Sequence, residues 1–114
     1  MAYTREETEK IEVDYPIEQL WEGLLNTITK LEWTTQTSDK NNYHITLKTK
    51  GAFLSYPSNM KITLNPIDDK TTHMLIAGET PVTTITSIFD IGRTRERIER
   101  LIVTLAQLME KTNK

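Results

Sequence analysis

Lys10-Ile11-Glu12-Val13-Asp14-Tyr15-Pro16-Ile17-Glu18-Gln19-Leu20-Trp21 changes its hydrophobic period halfway along. Up to Tyr15 the apolar residues Ile11, Val13 and Tyr15 alternate with Glu12 and Asp14, the pattern of a half-buried strand. Pro16 stops that strand, because proline lacks the ladder donor, yet it suits the first turn of a helix. Glu18 then puts a negative charge near the positive end of the helix dipole. From Ile17 onward Leu20, Trp21, Leu24, Leu25, Ile28 and Leu31 recur at three- and four-residue steps, inside an arc of roughly 140°. A strand into a helix running from about Pro16 to Glu32 is therefore predicted. Gly23 falls outside the apolar stripe, where it costs a helix about 1 kcal/mol relative to alanine.

Working outward, the chain returns to period two. Trp33, Thr35 and Thr37 share one face of a second strand, and Ser38-Asp39-Lys40-Asn41-Asn42 has turn chemistry. Tyr43, Ile45 and Leu47 alternate with His44, Thr46 and Lys48; Met60, Ile62 and Leu64 alternate with Lys61, Thr63 and Asn65. Between them lies a long apolar connection, Gly51-Ala52-Phe53-Leu54-Ser55-Tyr56-Pro57-Ser58. Pro66 to Lys70 reads as a tight turn, and Thr71 to Ala77 and Val82 to Phe89 as two last strands separated by Gly78-Glu79-Thr80-Pro81. The inward face of these two strands is ambiguous, because both faces carry apolar residues. A second amphipathic helix is predicted from Gly92 or Thr94 to about Lys111, with the apolar residues from Ile91 to Met109 within an arc of roughly 120°. The expected fold is a single α+β domain over residues 1–114, an antiparallel sheet in the order β-α-β-β-β-β-β-α with a long C-terminal helix.

Composition narrows the functional classes. With 114 residues there is room for one core, and with no cysteine there is no disulfide, thiolate nucleophile or zinc finger. The polar start, Met1 to Lys10, lacks the apolar run of a signal peptide, and no window is apolar enough to span a bilayer. A cytoplasmic protein that does not engage membranes is expected. Fourteen basic and sixteen acidic side chains give a net charge of −2, which argues against nucleic acid as a partner. Nineteen threonines favour strands.

The opening Val13-Asp14-Tyr15-Pro16-Ile17-Glu18-Gln19-Leu20-Trp21 resembles that of START/Bet v 1-like, or SRPBCC-type, domains: a strand passing through a proline turn into an amphipathic helix with a tryptophan. Ser87 to Ile98 is similar to the strand-to-helix junction of small bacterial relatives. The chain is shorter than the family plan, with one strand fewer. The resemblance implies a helix-grip fold, a curved sheet gripping the last helix, often with an apolar ligand between them. The sheet is also distantly similar to the TATA-binding fold, an activity that nothing here supports.

If a ligand occupies that space, Trp33, Tyr43, Met60, Met74, Leu105 and Met109 are its expected lining, with Phe53, Leu54 and Tyr56 at a mouth. The alternative is that these residues pack on one another as an ordinary core. The Gly51–Ser58 connection is open to three readings: a lid, a partner contact or a cluster folded back on the domain. Arg93, Arg95, Arg97 and Arg100 are spread around the helix and interleaved with Glu96 and Glu99, which reads as a solvated, salt-bridged face. His44 and His73 have no third metal ligand at suitable spacing, and Asp68-Asp69 reads as a turn. With no catalytic motif, the expectation is a non-enzymatic domain that needs no cofactor and binds a small apolar or amphipathic molecule. The alternative is a protein-interaction or homodimerisation module with a solid core and no ligand.

Overall fold

The first strand extends well before its apolar part. In the computed structural model, which describes residues 3–51, 55–82 and 92–112, β1 is Tyr3–Val13. It is followed by α1 (Ile17–Lys30), β2 (Thr34–Asp39), β3 (His44–Lys48), β4 (Asn59–Asp68), β5 (Thr71–Val82) and α2 (Arg93–Thr112). The strands form one antiparallel sheet in the order β1-β5-β4-β3-β2. The α+β class and the C-terminal helix on an antiparallel sheet are as expected.

The described residues contain five strands, and the boundary expected within the last of them is not there. Gly78-Glu79-Thr80-Pro81 is not a turn: β5 runs straight through it, with Gly78 opposite Glu7 and Met60. Gly78 lies where α2 comes down close on the strand. A Cβ at this position would sit 3.2 Å from Thr94 Cγ2 and 3.4 Å from Ile98 Cδ1. Pro81 pairs with Thr4 of β1, beyond the point where β4 begins its pairing at Glu79, so its missing donor interrupts no ladder on that side. The expected strand from Val82 to Phe89 lies, after Val82, outside the described residues. At the other end β4 continues through Pro66 with a register shift before Asp68, leaving a tighter turn at Asp69-Lys70.

The ambiguous face of β5 is resolved: Met74 and Ile76 point inward, joining Ile45, Leu47, Met60, Ile62 and Leu64 from β3 and β4. Leu20, Trp21, Leu24 and Ile28 of α1 and Ile98, Leu101, Leu105 and Met109 of α2 close this core. Gly23 is buried where α1 crosses α2, and a Cβ there would overlap Met109 Sδ. The missing side chain sets how closely the helices approach, which the position of Gly23 outside the stripe did not reveal. By contrast β2 is exposed along its whole length. No helix among the described residues is long and apolar enough to cross a membrane.

Candidate functional site

The end of α1 delivers Trp33 to the mouth of the grip. Glu32 N–H donates to Thr29 O (3.0 Å) and Trp33 N–H to Ile28 O (3.1 Å), the paired bonds of a Schellman cap. The cap requires a left-handed residue, here Glu32 at φ 59°, a position usually taken by glycine. The chain reverses, and Trp33 faces the first half of α2 across a groove of about 440 Å³. Leu31, Trp33 and Gly51 line one part of it, and Arg93, Arg97 and Arg100 another.

Behind this groove lies a buried polar cluster. Arg97 is 7% exposed; its Nη1 donates to Tyr56 O (2.9 Å) and Ser58 Oγ (2.7 Å), and its Nη2 to Ser55 Oγ (3.1 Å). Ser58 Oγ lies 2.5 Å from Thr80 Oγ1, which lies 2.6 Å from Thr94 Oγ1. Ser58 and Thr49 are tied as well: Ser58 N–H donates to Thr49 Oγ1 (2.9 Å), and Thr49 N–H to Ser58 O (2.9 Å). Two hydroxyls from the segment before β4 thus meet one guanidinium, and one of them, Ser58, is linked onward to Thr80 of β5 and Thr94 of α2, as burial requires.

The four arginines of α2 therefore divide. Arg95 pairs with Glu9 and Glu7 of β1, and Glu9 raises the pKa of its guanidinium. Arg100 pairs with Glu96 at 3.7 Å on the surface. Those two match the expected solvated face; Arg97 departs from it, buried because Thr94 and Arg97 fall on the side of α2 that meets the Ser55–Ser58 segment.

The expected lining residues do not form one set. Trp33 is on the groove. Met60 and Met74 are fully buried in the core. Leu105 and Met109 are also buried there, and they line a separate apolar cleft of about 260 Å³ against Ile11, Val13 and Tyr15. Tyr43 stands apart on the α1 side, edge-on to Trp21 (centroids 5.6 Å) and donating its hydroxyl to Glu18. That bond, with help from Lys40, holds the Glu18 carboxyl below the usual carboxylate range. Tyr56 is 47% exposed, while its carbonyl serves Arg97. Phe53 and Leu54 lie outside the described residues. Sequence reasoning missed Ser55, Ser58, Thr80 and Thr94; a lone hydroxyl on a strand gives no signal until its partners are known. Among the described residues, no three histidines or carboxylates gather as a metal site.

A sheet wrapped against a long last helix, with a groove at its open end, defines a helix-grip domain, and solved structures place it among Bet v 1-like folds. A norcoclaurine synthase point mutant from Thalictrum flavum, in complex with a transition-state analogue, aligns with a TM-score of 0.70 at 10% identity, covering 100% of this chain and 99% of that one. A conserved protein from Geobacillus kaustophilus gives 0.63 at 14% identity, covering 95% and 94%. An aromatase/cyclase from a Streptomyces species gives 0.58 at 11% identity, covering 96% of each. No protein-family model and no curated protein sequence matches the chain. These neighbours overturn the expectation that the chain is not an enzyme. That expectation rested on the lack of a linear motif, whereas the same fold in a synthase and an aromatase/cyclase supports chemistry. At these identities the likeness establishes the fold alone.

Proposed function

We propose that this domain binds a small amphipathic molecule in the groove between Trp33 and the first half of α2. The groove itself carries the reading: about 440 Å³ is within the size range of small-molecule sites, and it has an apolar wall and a polar wall. Trp33 and Leu31 offer a face for rings or short chains. The arginine side chains offer donors, and Arg97 is already oriented by three hydrogen bonds. Met60 and Met74 belong to the core, and Leu105 and Met109 to the separate cleft beside β1. Tyr43 supports α1 instead.

Fluorescence titration with phenylnaphthylamine, an uncharged aromatic probe, tests the site. Saturable binding is expected, weakened about tenfold in Trp33→Ala. Binding that is indifferent to Trp33 sinks the proposed location. Native mass spectrometry of the protein from its own host gives the complementary readout, with a bound small molecule expected. A dimer carrying nothing would favour self-association instead, for which β1, an edge strand of 11 residues, is the candidate surface.

A further inference from the structure

We infer that two copies of this chain join along β1, antiparallel about a twofold axis at Thr8, so that their sheets become one. Among the described residues β1 pairs with β5 on one side and with no strand on the other. Its edge is 11 residues long, and the β1–β5 ladder runs through all of them without a register shift. Sheet edges that must stay unpaired are more often short, bulged or covered.

The sequence of β1 is complementary to itself in one register. Antiparallel pairing about a twofold axis keeps each strand face on the same side, so even-numbered residues meet even-numbered ones. With the axis at Thr8, the midpoint of Tyr3–Val13, the whole strand overlaps its copy. Thr4, Glu6, Thr8, Lys10 and Glu12 are exposed on the outer face. There Glu6 of each copy meets Lys10 of the other, Thr8 meets its own counterpart, and Thr4 meets Glu12. Opposite charges and paired threonines are favourable cross-strand neighbours. Moving the axis shortens the overlap and loses the match: centred on Glu7 it sets Glu7 against itself, and centred on Glu9 it sets Glu6 against Glu12. Within one chain Glu6 lies opposite Glu79 of β5, a like charge, whereas the second copy offers it an ammonium. On the inner face Glu7 meets Glu9 of the other copy, and each copy's Arg95 already stands against both of its own. The apolar cleft of about 260 Å³ lies along the same edge. Its walls are Ile11 and Val13 of β1 and Ile102, Leu105 and Met109 of α2, with no residue of β5, so the second strand would cover apolar surface as well. No residue of β1 lines the Trp33 groove, and the inference stands apart from the binding reading.

The chain has no cysteine, so one introduced thiol reports the register. A short bismaleimide should join Thr8→Cys to its copy, because the two positions lie about 5 Å apart. Thr4→Cys, whose two copies lie ~27 Å apart along the strands, should stay unjoined. A strand pair is a small interface, so the dimer is expected to dissociate on dilution, and sedimentation velocity over a concentration series follows it. Glu6→Lys makes both Glu6–Lys10 pairs repulsive and should raise the dissociation constant about tenfold. Adding Lys10→Glu to the same chain should restore it, a recovery that a misfolded variant would not show. A chain that stays monomeric at its highest soluble concentration overturns the inference. So does Thr4→Cys cross-linking as readily as Thr8→Cys, or a dimer indifferent to Glu6→Lys.

Discussion

Along α2, Leu101, Leu105 and Met109 are sealed among apolar neighbours, whereas two turns earlier Thr94 and Arg97, almost as fully buried, are surrounded by hydroxyls. The two halves meet the same sheet yet solve burial differently. In the apolar half contact is non-directional, and shape alone must be satisfied. In the polar half every group needs a partner at the right angle, and losing one strands the next. Stability is therefore concentrated on the apolar stripe from Ile98 through Leu101 and Leu105 to Met109, and specificity at Thr94 and Arg97 in the first turns.

The largest expected effect comes from the apolar half. Leu101 is fully buried, and Leu101→Ala should lower stability by about 2–5 kcal/mol through lost transfer energy and the cavity left behind. Chemical denaturation measures it. Below its unfolding midpoint this variant should keep the wild-type affinity for an aromatic probe. A loss of less than 1 kcal/mol would mean that the core is not concentrated here, and the contrast between the halves would collapse.

Thr80→Val probes the polar half at nearly constant volume. It removes one hydroxyl that lies between Ser58 and Thr94, and the groups left behind cost about 1–3 kcal/mol. Unlike Leu101→Ala, it should also weaken binding of the aromatic probe, because Ser58 is one of the oxygens that orient Arg97 on the groove. A stability loss with no change in binding would reduce the hydroxyl chain to packing.

The same contrast explains what could be read from the sequence. The apolar half was legible because its residues repeat every three or four positions, and so were α1 and the alternating strands, since burial of one face imposes a period. The polar half follows no period: Ser58, Thr80, Thr94 and Arg97 come from three elements and meet only after folding. Gly78 and Pro81 actively misled, because the residues that mark turns also suit a strand under a close helix or beyond the end of a neighbour's pairing. Gly23 was read by its angle on the wheel, while its role is set by Met109, 86 positions away in the chain. Trp33 was legible as an apolar lining residue. Its direction was not, because it depends on the left-handed turn at Glu32.

That turn gives the smallest and sharpest test of the comparison, because it lies on the groove and outside both halves of α2. Glu32 holds φ 59° with a side chain whose Cβ crowds the backbone there, and glycine carries no such penalty. Against this, Glu32→Gly gives up the bond to Lys50 (2.8 Å), between two well-exposed groups where an ion pair contributes little. The net expectation is a Tm raised by a few degrees. Lys50 holds the Glu32 carboxyl below its ordinary range. The pair therefore stabilises the fold above that range and is lost as pH falls through it. The gain from Glu32→Gly should accordingly be larger at acid pH, where the wild type has already lost the pair, than at neutral pH. A Tm that falls at neutral pH would mean that the Lys50 contact outweighs the strained backbone. The left-handed turn would then be maintained by the groove's own charges, and Trp33 would owe its direction to them.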